Sequence, residues 1–518
     1  MKSRIALLSL AAIFCASCSI QIRTSSFESP SEVSEAQSES ANSLAGEIGI
    51  SSEPDDREDA TISFYAINDF HGAVLAKSNQ PGIESVGAYL KSVRDVGGVL
   101  ICSGDMYQGS IESDYNHGEV LSKCMKEIGF DAFAIGNHEF DWGAEWIVKN
   151  AEFAGMDFLG ANIYNYDMET GEVGDFASEL CAKYNIVERG GWKIGIIGTI
   201  GYDQITSICS PFVDDYSFID PIPVIKTLSN ELRLEKGCDA VVVSHHGEQA
   251  ELMNKGLTSI SPESGARYID AAFCAHTHQN ESATENGVAF VQTEGYGKSI
   301  ARISLDVKDD GVTLNSYTTR QNAYGLTDDA IKAIVDEYKA VSDVAGNEVL
   351  CRTDSTYYDR YDMASNLIVK AIGEHEESLG VAYDFAVSNY ARAGLSAGGY
   401  QITYSSLYTT LPFDNEIVIA RVKGSELIRE LAYTSTYAYR PQEITLSSSS
   451  YYTIAVVDFL ALHRGTSRKY DYFPTLEVIS IQSGVTYRDI AANYLRSLDQ
   501  FKGSEHTSSL SCFNKNAF

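Results

Sequence analysis

Six of the ten histidines in this sequence stand where their side chains could hold metal ions. They occur in short polar clusters with aspartate and asparagine, and each cluster follows an apolar run. Mixed oxygen and nitrogen donors of this kind suit divalent ions such as Zn²⁺, Mn²⁺ or Co²⁺ rather than copper held by sulfur. The donors suffice for two ions, and an ion pair can activate water and stabilise a displacement at phosphorus. The clusters are Asp69-Phe70-His71, Gly104-Asp105, Gly136-Asn137-His138-Glu139-Phe140-Asp141, Ser244-His245-His246-Gly247 and His276-Thr277-His278.

Each cluster taken alone also has a purely structural explanation. Asn137 could cap a helix that begins after an apolar strand, and a single histidine is more often a core or surface residue than a ligand. Six histidines in such clusters, accompanied by Asp69 and Asp105, are harder to explain in that way. The pattern therefore favours a metal site over a series of unrelated caps.

The apolar runs before the clusters predict the strands that position them. These runs are short and rich in β-branched residues, and between several of them lie helical patterns such as 118–129. Strands that alternate with helices predict sheets covered on both faces, and such folds bind ligands at the carboxyl ends of the strands. All of the clusters lie at such ends. The predicted strands are 61–67, 99–102, 132–135, 193–197, 240–243 and 269–274.

The start of the chain resembles a bacterial lipoprotein signal. Lys2 and Arg4 precede the apolar stretch 5–14, and small residues lead to Cys18. The resemblance implies cleavage before Cys18 and lipidation of that residue, and simple secretion after Ser17 is the alternative. No later stretch is long and apolar enough to span a membrane. We therefore expect an exported protein held in the cell envelope, in the periplasm or at the cell surface, by a lipid anchor.

Composition changes along the 518 residues predict the domain organisation. Residues 1–18 form the signal, and residues 19–58 are rich in Ser, Glu and Asp, which predicts a disordered tether. An apolar stripe at 331, 334, 335, 338 and 341 predicts a helix over 327–345. We expect a catalytic domain at 59–318, a linker helix within 319–345, and a second domain at 346–518.

The net charge of −32 excludes one class of partner. A protein that binds a nucleic-acid polymer needs a basic surface, and this chain has 71 acidic residues against 39 basic ones. A small anionic substrate stays possible because bound metal ions supply positive charge locally. The eight cysteines after Cys18 form no CxxC pair, so a zinc ribbon is not expected, and several lie in apolar runs as buried thiols.

The five clusters together resemble the calcineurin-like metallophosphoesterases, in particular their 5′-nucleotidase branch. The resemblance implies an α/β fold of four layers, with two mixed sheets flanked by helices, and a smaller α+β domain at the C-terminus. It also implies two metal ions. Asp105 would bridge them, and the remaining ligands would be Asp69, His71 and His278 for one ion and Asn137, His245 and His276 for the other.

The resemblance also implies which neighbours of the ligands take part in the reaction. His138 would face the phosphate and stabilise the transition state, and Asp141 would orient its ring. Glu139 and Phe140 would be structural. His246 has no counterpart role in the family, so we expect it to lie behind the ligands or to be exposed rather than to ligate.

In the C-terminal half the resemblance is partial. Arg392 would recognise a phosphate or carboxylate group of the substrate. Phe413 and Phe459 would hold a nucleobase by stacking, an interaction of about 1–3 kcal/mol per base, and ordinary core packing is the alternative. The family's Gly-Gly-Asp-Gly segment is replaced by His463-Arg464-Gly465-Thr466. Gly465 thus stands where the family has the aspartate that meets the nucleoside.

These features together predict a monomeric two-metal phosphohydrolase that cleaves phosphate monoesters of nucleotides, with a metal-bound hydroxide as the attacking group. A 2′,3′-cyclic phosphodiesterase or a nucleotide-sugar or dinucleotide pyrophosphatase is the alternative within the enzymes. An alternative of another class is a surface lipoprotein that binds nucleosides or a host component with little turnover.

Overall fold

The computed structural model describes residues 57–375, 379–440 and 444–513. The predicted signal, Cys18 and nearly all of the predicted tether lie outside these ranges. The described residues belong to one contiguous unit. We refer to residues 57–346 as the N-terminal lobe and to residues 349–513 as the C-terminal lobe.

The N-terminal lobe contains two large mixed sheets and a small third one. Its helices are α1 Gly82–Arg94, α2 Ile111–Asp114, α3 Glu119–Ile128, α4 Ala144–Ala154, α5 Pro221–Leu234, α6 Gln249–Leu252 and α7 Asp329–Gly346. Its strands are β1 Ala60–Ile67, β2 Val99–Cys102, β3 Ala132–Phe133, β4 Ile163–Asp167, β5 Glu172–Phe176, β6 Tyr184–Arg189, β7 Trp192–Ile200, β8 Tyr216–Phe218, β9 Ala240–His246, β10 Ala271–Phe273, β11 Glu281–Glu285, β12 Val288–Gln292, β13 Ile300–Lys308 and β14 Gly311–Gln321.

The strand order explains how distant clusters meet. The first sheet has the order β14-β13-β1-β2-β3, and the second has the order β11-β12-β10-β9-β7-β6. Strands β1, β2 and β3 are parallel to one another, as are β7, β9, β10 and β12. All but one of the polar clusters directly follow these parallel strands, and the remaining one begins at the end of β9.

Apolar side chains hold the sheets and helices together as four layers. Phe64 and Ile101 of the first sheet pack against Ile196 and Val242 of the second. On the outer faces, α1, α3 and α7 cover the first sheet and α5 covers the second. The predicted fold class, with two mixed sheets flanked by helices, is confirmed.

The C-terminal lobe is a smaller α+β unit. Its helices are α8 Ser365–Gly373, α9 Tyr404–Thr410, α10 Gly424–Leu431, α11 Asp458–Ala461 and α12 Tyr487–Ser497. Its strands are β15 Val349–Arg352, β16 Tyr357–Tyr358, β17 Phe385–Asn389, β18 Leu395–Ser396, β19 Gln401–Thr403, β20 Glu416–Lys423, β21 Thr436–Tyr439, β22 Tyr451–Val457 and β23 Glu477–Thr486. The main sheet has the order β21-β17-β22-β20-β23, and α8 and α12 pack on it through a separate apolar core.

The observed elements differ from the predicted ones mainly at their ends. Strand β9 extends through His246, three residues beyond the predicted end. The predicted helix over 327–345 is α7, where Ile331 and Val335 are buried but Val341 is 57% exposed. The eight cysteines of the described ranges are free thiols. No described helix combines the length and apolar character that a membrane span requires.

Candidate metal centre and substrate cleft

The turns after β1 and β2 are joined to each other by backbone hydrogen bonds. The amide of Asp69 donates to the carbonyl of Gly104, and the amide of His71 donates to the carbonyl of Asp105, both at 3.0 Å. The amide of His276, after β10, donates to the Asp69 carboxylate at 3.0 Å. Three strand ends are therefore held in fixed relative positions before any ion binds.

Most of the predicted ligands have a backbone conformation that is rare for residues with a side chain. Such left-handed positions cost about 1–3 kcal/mol each and persist only where the surrounding structure enforces them. Of the eleven non-glycine residues with positive φ in the described ranges, five are predicted ligands. They are Asp69 (48°), His71 (46°), Asp105 (55°), His276 (79°) and His278 (55°).

One group of donors lies around Asp69. Nε2 of His71 is 3.0 Å from Nε2 of His278, and that nitrogen is 3.4 Å from Oδ1 of Asp69. Nε2 of His71 is also 3.8 Å from Oδ2 of Asp105. These atoms converge closely enough to bind one metal ion.

A second group of donors lies on the other side of Asp105. Oδ1 of Asn137 is 3.2 Å from Nδ1 of His276 and 3.1 Å from Nε2 of His246. Nε2 of His246 is 3.3 Å from Oδ2 of Asp105. Because the Asp105 carboxylate is close both to His71 of the first group and to His246 of the second, it lies where a shared ligand between two ions is needed.

His246, and not His245, faces this second group. Successive side chains of a strand point to opposite faces, and β9 continues through both residues. His246 is fully buried, and its Nδ1 donates to the carbonyl of Ser103 at 2.8 Å, which directs Nε2 toward Asp105. The structure therefore places buried His246 among the candidate donors, whereas we expected it from the sequence to lie behind them or to be exposed. The alternation of side chains along β9 is the signal that could have identified it.

His245 points into a different environment. Its Nδ1 is hydrogen-bonded to Oγ1 of Thr199 at 2.9 Å, and its Nε2 is 3.7 Å from Oε2 of Glu251. That Nε2 is buried and has no hydrogen-bond partner among the described residues. The structure thus brings together six of the seven predicted ligands and leaves His245 outside the second group.

Two glycines provide the space that this arrangement requires. A Cβ atom on Gly104 would lie 2.6 Å from Nδ1 of His246, and one on Gly136 would collide with the carboxylate of Asp105. Gly104 also has a φ of 91°, which favours glycine. Any larger residue at these positions would displace a donor.

The protonation states of His276 and His278 fit a divalent cation. Burial lowers the pKa of His276 and of His278 to about 4, so both rings are neutral at pH 7 and can ligate. Burial raises the pKa of Asp69 to about 6, because the ionised carboxylate is unfavourable in this buried position. A bound cation would stabilise the ionised form. The oxygen and nitrogen donors of both groups suit Zn²⁺, Mn²⁺ or Co²⁺.

His138 and Asp141 form a separate pair at the edge of the two groups. Nδ1 of His138 is 2.8 Å from Oδ2 of Asp141. Burial alone would lower the pKa of His138, but Asp141 and Asp105 outweigh it, and the pKa is raised. Glu139 is structural, as predicted from the family, because its carboxylate accepts hydrogen bonds from the amides of Asp105, Met106 and Gly136.

The C-terminal lobe contributes a cation and an aromatic ring to the same place. Nη2 of Arg392 is 3.5 Å from Nε2 of His71. The ring of Phe413 stacks on His138, with 5.7 Å between the ring centres. Buried Arg488 fixes the Phe413 loop, because its Nη1 donates to the carbonyls of three consecutive residues, 411–413, at 2.9–3.0 Å.

A single cavity of about 610 Å³ joins these groups. Its metal end is lined by Asn137, His138, Asp141 and His276, and its walls in the C-terminal lobe include Arg392, Phe413 and Phe459. The volume is that of a typical small-molecule site. The predicted substrate-binding residues and the predicted catalytic pair therefore line one cleft.

The segment that replaces the family's Gly-Gly-Asp-Gly contacts the opposite lobe. Nε2 of His463 is 2.7 Å from the carbonyl oxygen of Thr206, and the amide of Arg464 donates to Oγ of Ser210 at 2.8 Å. The Arg464 guanidinium forms an ion pair with Asp214. This segment joins the two lobes beside the cavity.

Residues 62–280 match the family model described as calcineurin-like phosphoesterase. The match contains all seven predicted ligands and the His138–Asp141 pair. Over these residues the chain is similar to the calcineurin-like phosphoesterases. The protein is a metal-dependent phosphoester hydrolase, as the sequence predicted.

Relatives of this phosphoesterase include proteins named 5′-nucleotidase. The chain is 25% identical to a 5′-nucleotidase of Vibrio parahaemolyticus over 77% of this chain and 79% of that protein. It is 26% identical to an apyrase of Tabanus yao over 73% of this chain and 74% of that protein. A cell wall protein of Listeria monocytogenes is 22% identical over 73% of this chain and 57% of that protein.

Among solved structures, a 5′-nucleotidase precursor from Thermus thermophilus has the same fold, with a TM-score of 0.68. It is 19% identical, and the matched region covers 85% of this chain and 97% of that one. The similarity extends across both lobes. The predicted resemblance to the 5′-nucleotidase branch is confirmed.

Proposed function

We propose that this phosphoesterase removes the phosphate group from nucleotides at two divalent metal ions. The observation that carries the proposal is the cavity that runs from Asn137 and His276 of the second donor group, past His138, to Phe413 and Phe459. Such a cavity matches a substrate with a phosphate at one end and a planar ring at the other. The 5′-nucleotidase relatives support the same substrate class.

Seven side chains would hold the ions. Asp105 would be shared, and the others are Asp69, His71 and His278 for one ion and Asn137, His246 and His276 for the second. When bound, divalent ions supply positive charge to the phosphoryl oxygens and lower the pKa of water, the chemistry that Zn²⁺, Mn²⁺ or Co²⁺ provides in such sites.

The protein groups around the phosphate stabilise the charge that develops on it. Nδ1 of His138 donates to Asp141, which directs Nε2 toward the cavity, and Asp141 and Asp105 raise the pKa of the ring against the effect of burial. Arg392 reaches the metal end of the cleft from the other lobe and pairs with a phosphate oxygen. Both groups act most strongly where the negative charge is largest, which is in the transition state.

The organic part of the substrate lies on the C-terminal lobe. Phe413 is held rigidly by Arg488, and Phe459 lines the same cavity from the start of α11. Aromatic stacking accepts any base, because every base has a π-face. The base is therefore bound by stacking, and the C-terminal lobe acts as the substrate-binding domain.

A substrate panel tests this function. The purified protein is assayed with AMP, 2′,3′-cyclic AMP, UDP-glucose and NAD, with Mn²⁺, Zn²⁺ and Co²⁺ in parallel. We expect AMP to be the best substrate, and His138→Ala to lower kcat by about 10²- to 10⁴-fold. The metal content of His138→Ala, measured by mass spectrometry, should equal that of the unsubstituted protein, because His138 is not a ligand.

His117→Ala is the matched control, since the His117 ring stacks on Trp146 with 4.1 Å between centres and does not line the cavity. It should leave kcat unchanged. A preference for the cyclic nucleotide, for UDP-glucose or for NAD would assign the cavity to one of the alternative hydrolases. Metal binding without hydrolysis of any panel member would show a binding protein instead.

We further propose that the protein is exported and anchored as a monomer through a lipid on Cys18. The N-terminal sequence and the Listeria cell wall relative support export. In the native host, Cys18→Ser should move the protein from the membrane fraction to the soluble fraction. An unchanged distribution would exclude the anchor.

A further inference from the structure

The wall that the C-terminal lobe contributes to the cleft contains a buried carboxylate, Glu430. It belongs to α10 (Gly424–Leu431) and is 4% exposed, yet it lines the cavity together with Phe459, Tyr433 and Tyr472. Buried carboxylates normally have hydrogen-bond donors around them, because an unpaired buried charge is costly. The hydrogen-bond donors around Glu430 therefore show whether its carboxylate has a purely structural role.

Only one oxygen of Glu430 has a donor among the described residues. Oε1 accepts from Nε of Arg429 at 2.7 Å. Oε2 of Glu430 accepts no hydrogen bond from any of the described residues. Nη2 of Arg429 is directed elsewhere, to the carbonyl oxygens of Asp471 and Tyr472. Burial raises the pKa of Glu430 in spite of Arg429, which is consistent with an incompletely satisfied carboxyl group.

The other carboxylates on this side of the cavity are already engaged. Asp458 accepts from Asn415 and from the amide of Phe459 through Oδ1, and from the amide of Glu416 through Oδ2. Asp414 is paired with Arg488, and its side chain is 36% exposed. Glu430 is the buried carboxylate of this wall that has an oxygen available.

No hydrogen bond or ion pair joins Glu430 to the residues of the metal end within the part of the chain that the structure describes. The charged groups that influence its pKa are Arg429, Asp471 and Glu426, all in the C-terminal lobe. Arg392 and Phe413, in contrast, contact His71 and His138 at the metal end. A nucleotide with its phosphate near His138 would direct its base toward Glu430.

We propose that Glu430 selects nucleotides whose base carries a hydrogen-bond donor at its far edge, such as the exocyclic amino group of adenine. The inference rests on the proposed nucleotidase function. An ionised carboxylate only accepts hydrogen bonds. Oε2 therefore accepts from an amino group of the base, and it stays without a partner when the base has no donor. Such a site discriminates strongly against a base that lacks the donor, because that base leaves the buried acceptor oxygen of the protein unpaired.

Two substrates that differ by one group test the proposal. AMP is compared with purine riboside 5′-monophosphate, which lacks only the exocyclic amino group. We expect kcat/KM to favour AMP by about 10- to 100-fold. In Glu430→Gln the amide oxygen accepts from Arg429 and the amide NH₂ faces the base. The kcat/KM for AMP, divided by that for purine riboside 5′-monophosphate, should therefore fall to one or below.

Glu426→Gln is the matched control. Glu426 lies on the same helix and is 8% exposed, but its two oxygens accept from the amide of Thr475 at 3.2 and 3.3 Å. This variant should keep the preference for AMP. p-Nitrophenyl phosphate, which has no nucleobase, should be hydrolysed equally by all three proteins.

Each outcome separates this inference from the function on which it rests. Equal kcat/KM for the two nucleotides in the unsubstituted protein would overturn the role of Glu430 without any variant. A preference that persists in Glu430→Gln would overturn it as well. Failure to hydrolyse either nucleotide, with p-nitrophenyl phosphate still cleaved, would instead reject nucleotides as substrates.

Discussion

The two neighbouring histidines of β9 show how much depends on the direction of one side chain. His245 and His246 have the same chemistry and adjacent positions, but they lie on opposite faces of the strand. One nitrogen of His246 is fixed by the carbonyl of Ser103, and the other faces Asp105 and Asn137. Such a contact behind a ligand fixes the ring orientation and directs the free nitrogen to the ion.

A pair of alanine variants checks this assignment. His246→Ala should lower the bound metal from about two ions per chain to about one, because it removes a donor of the second group. His245→Ala should keep both ions and lose only packing and its hydrogen bond to Thr199. Metal content by mass spectrometry and the metal-dependent rise in Tm are the measurements. If His245→Ala loses metal and His246→Ala does not, then His245 is the ligand, as the family resemblance implies.

At the scale of elements, Asp458 links the two segments that carry the aromatic rings. It is the first residue of α11, directly before Phe459, and its carboxylate accepts from Asn415 and the amide of Glu416, just after the Phe413 loop. The two rings therefore keep a constant relative position. The same burial that makes these bonds rigid also penalises the ionised carboxylate.

Asp458 should make stability depend on pH in a specific window. Burial raises its pKa from 3.8 to about 6, so the folded state binds a proton more tightly than the unfolded state. The stabilisation is complete below the unfolded pKa and is lost as the pH rises through the folded pKa. Relative to Asp458→Asn, the free energy of unfolding should fall by about 2–3 kcal/mol between about pH 4 and about pH 7.

Urea unfolding of both proteins at several pH values measures this difference. Asp458→Asn keeps one of the two acceptor oxygens and has no titratable group, so its own pH dependence serves as the baseline. If the difference in free energy of unfolding between the two proteins is constant from about pH 4 to about pH 7, the Asp458 carboxyl does not have a raised pKa.

At the scale of the molecule, the lobes are held together beside the cavity by basic side chains. Arg464 pairs with Asp214, and Arg468 donates to the carbonyl oxygens of Val213 and Tyr216 while lying 4.3 Å from the Tyr166 ring centre. These contacts come from the segment that departs from the family pattern. The position of Phe413 beside His138 depends on the two lobes keeping this arrangement.

The double variant Arg464→Ala, Arg468→Ala should loosen that arrangement. We expect a larger radius of gyration in small-angle X-ray scattering, and a KM for AMP raised by about tenfold because stacking against Phe413 is weakened. Arg421→Ala is the control, since its partner Glu477 lies in the same lobe. A radius and a KM equal to those of the control would show that other contacts hold the lobes.

Much of the fold followed from local patterns. Strand 99–102 is found with its predicted ends, and the other predicted strands differ by a few residues. The helix at α7 was predicted from its apolar stripe, but Val341 is exposed because the buried face of the helix passes through Ser342 and Gly346 instead. Apolar periodicity reports which face can be buried, whereas burial itself depends on what packs against that face.

The sequence by itself determined the kinds of donor, their order along the chain and their place at strand ends, because residue type and short-range pattern decide these features. Only the tertiary structure decided which histidine of β9 faces Asp105, that five ligands have positive φ, and that Glu430 presents an open oxygen to the cleft. Those features follow from strand register and from contacts between segments far apart in the chain. Such contacts depend on the direction of a side chain in space, which composition and spacing do not contain.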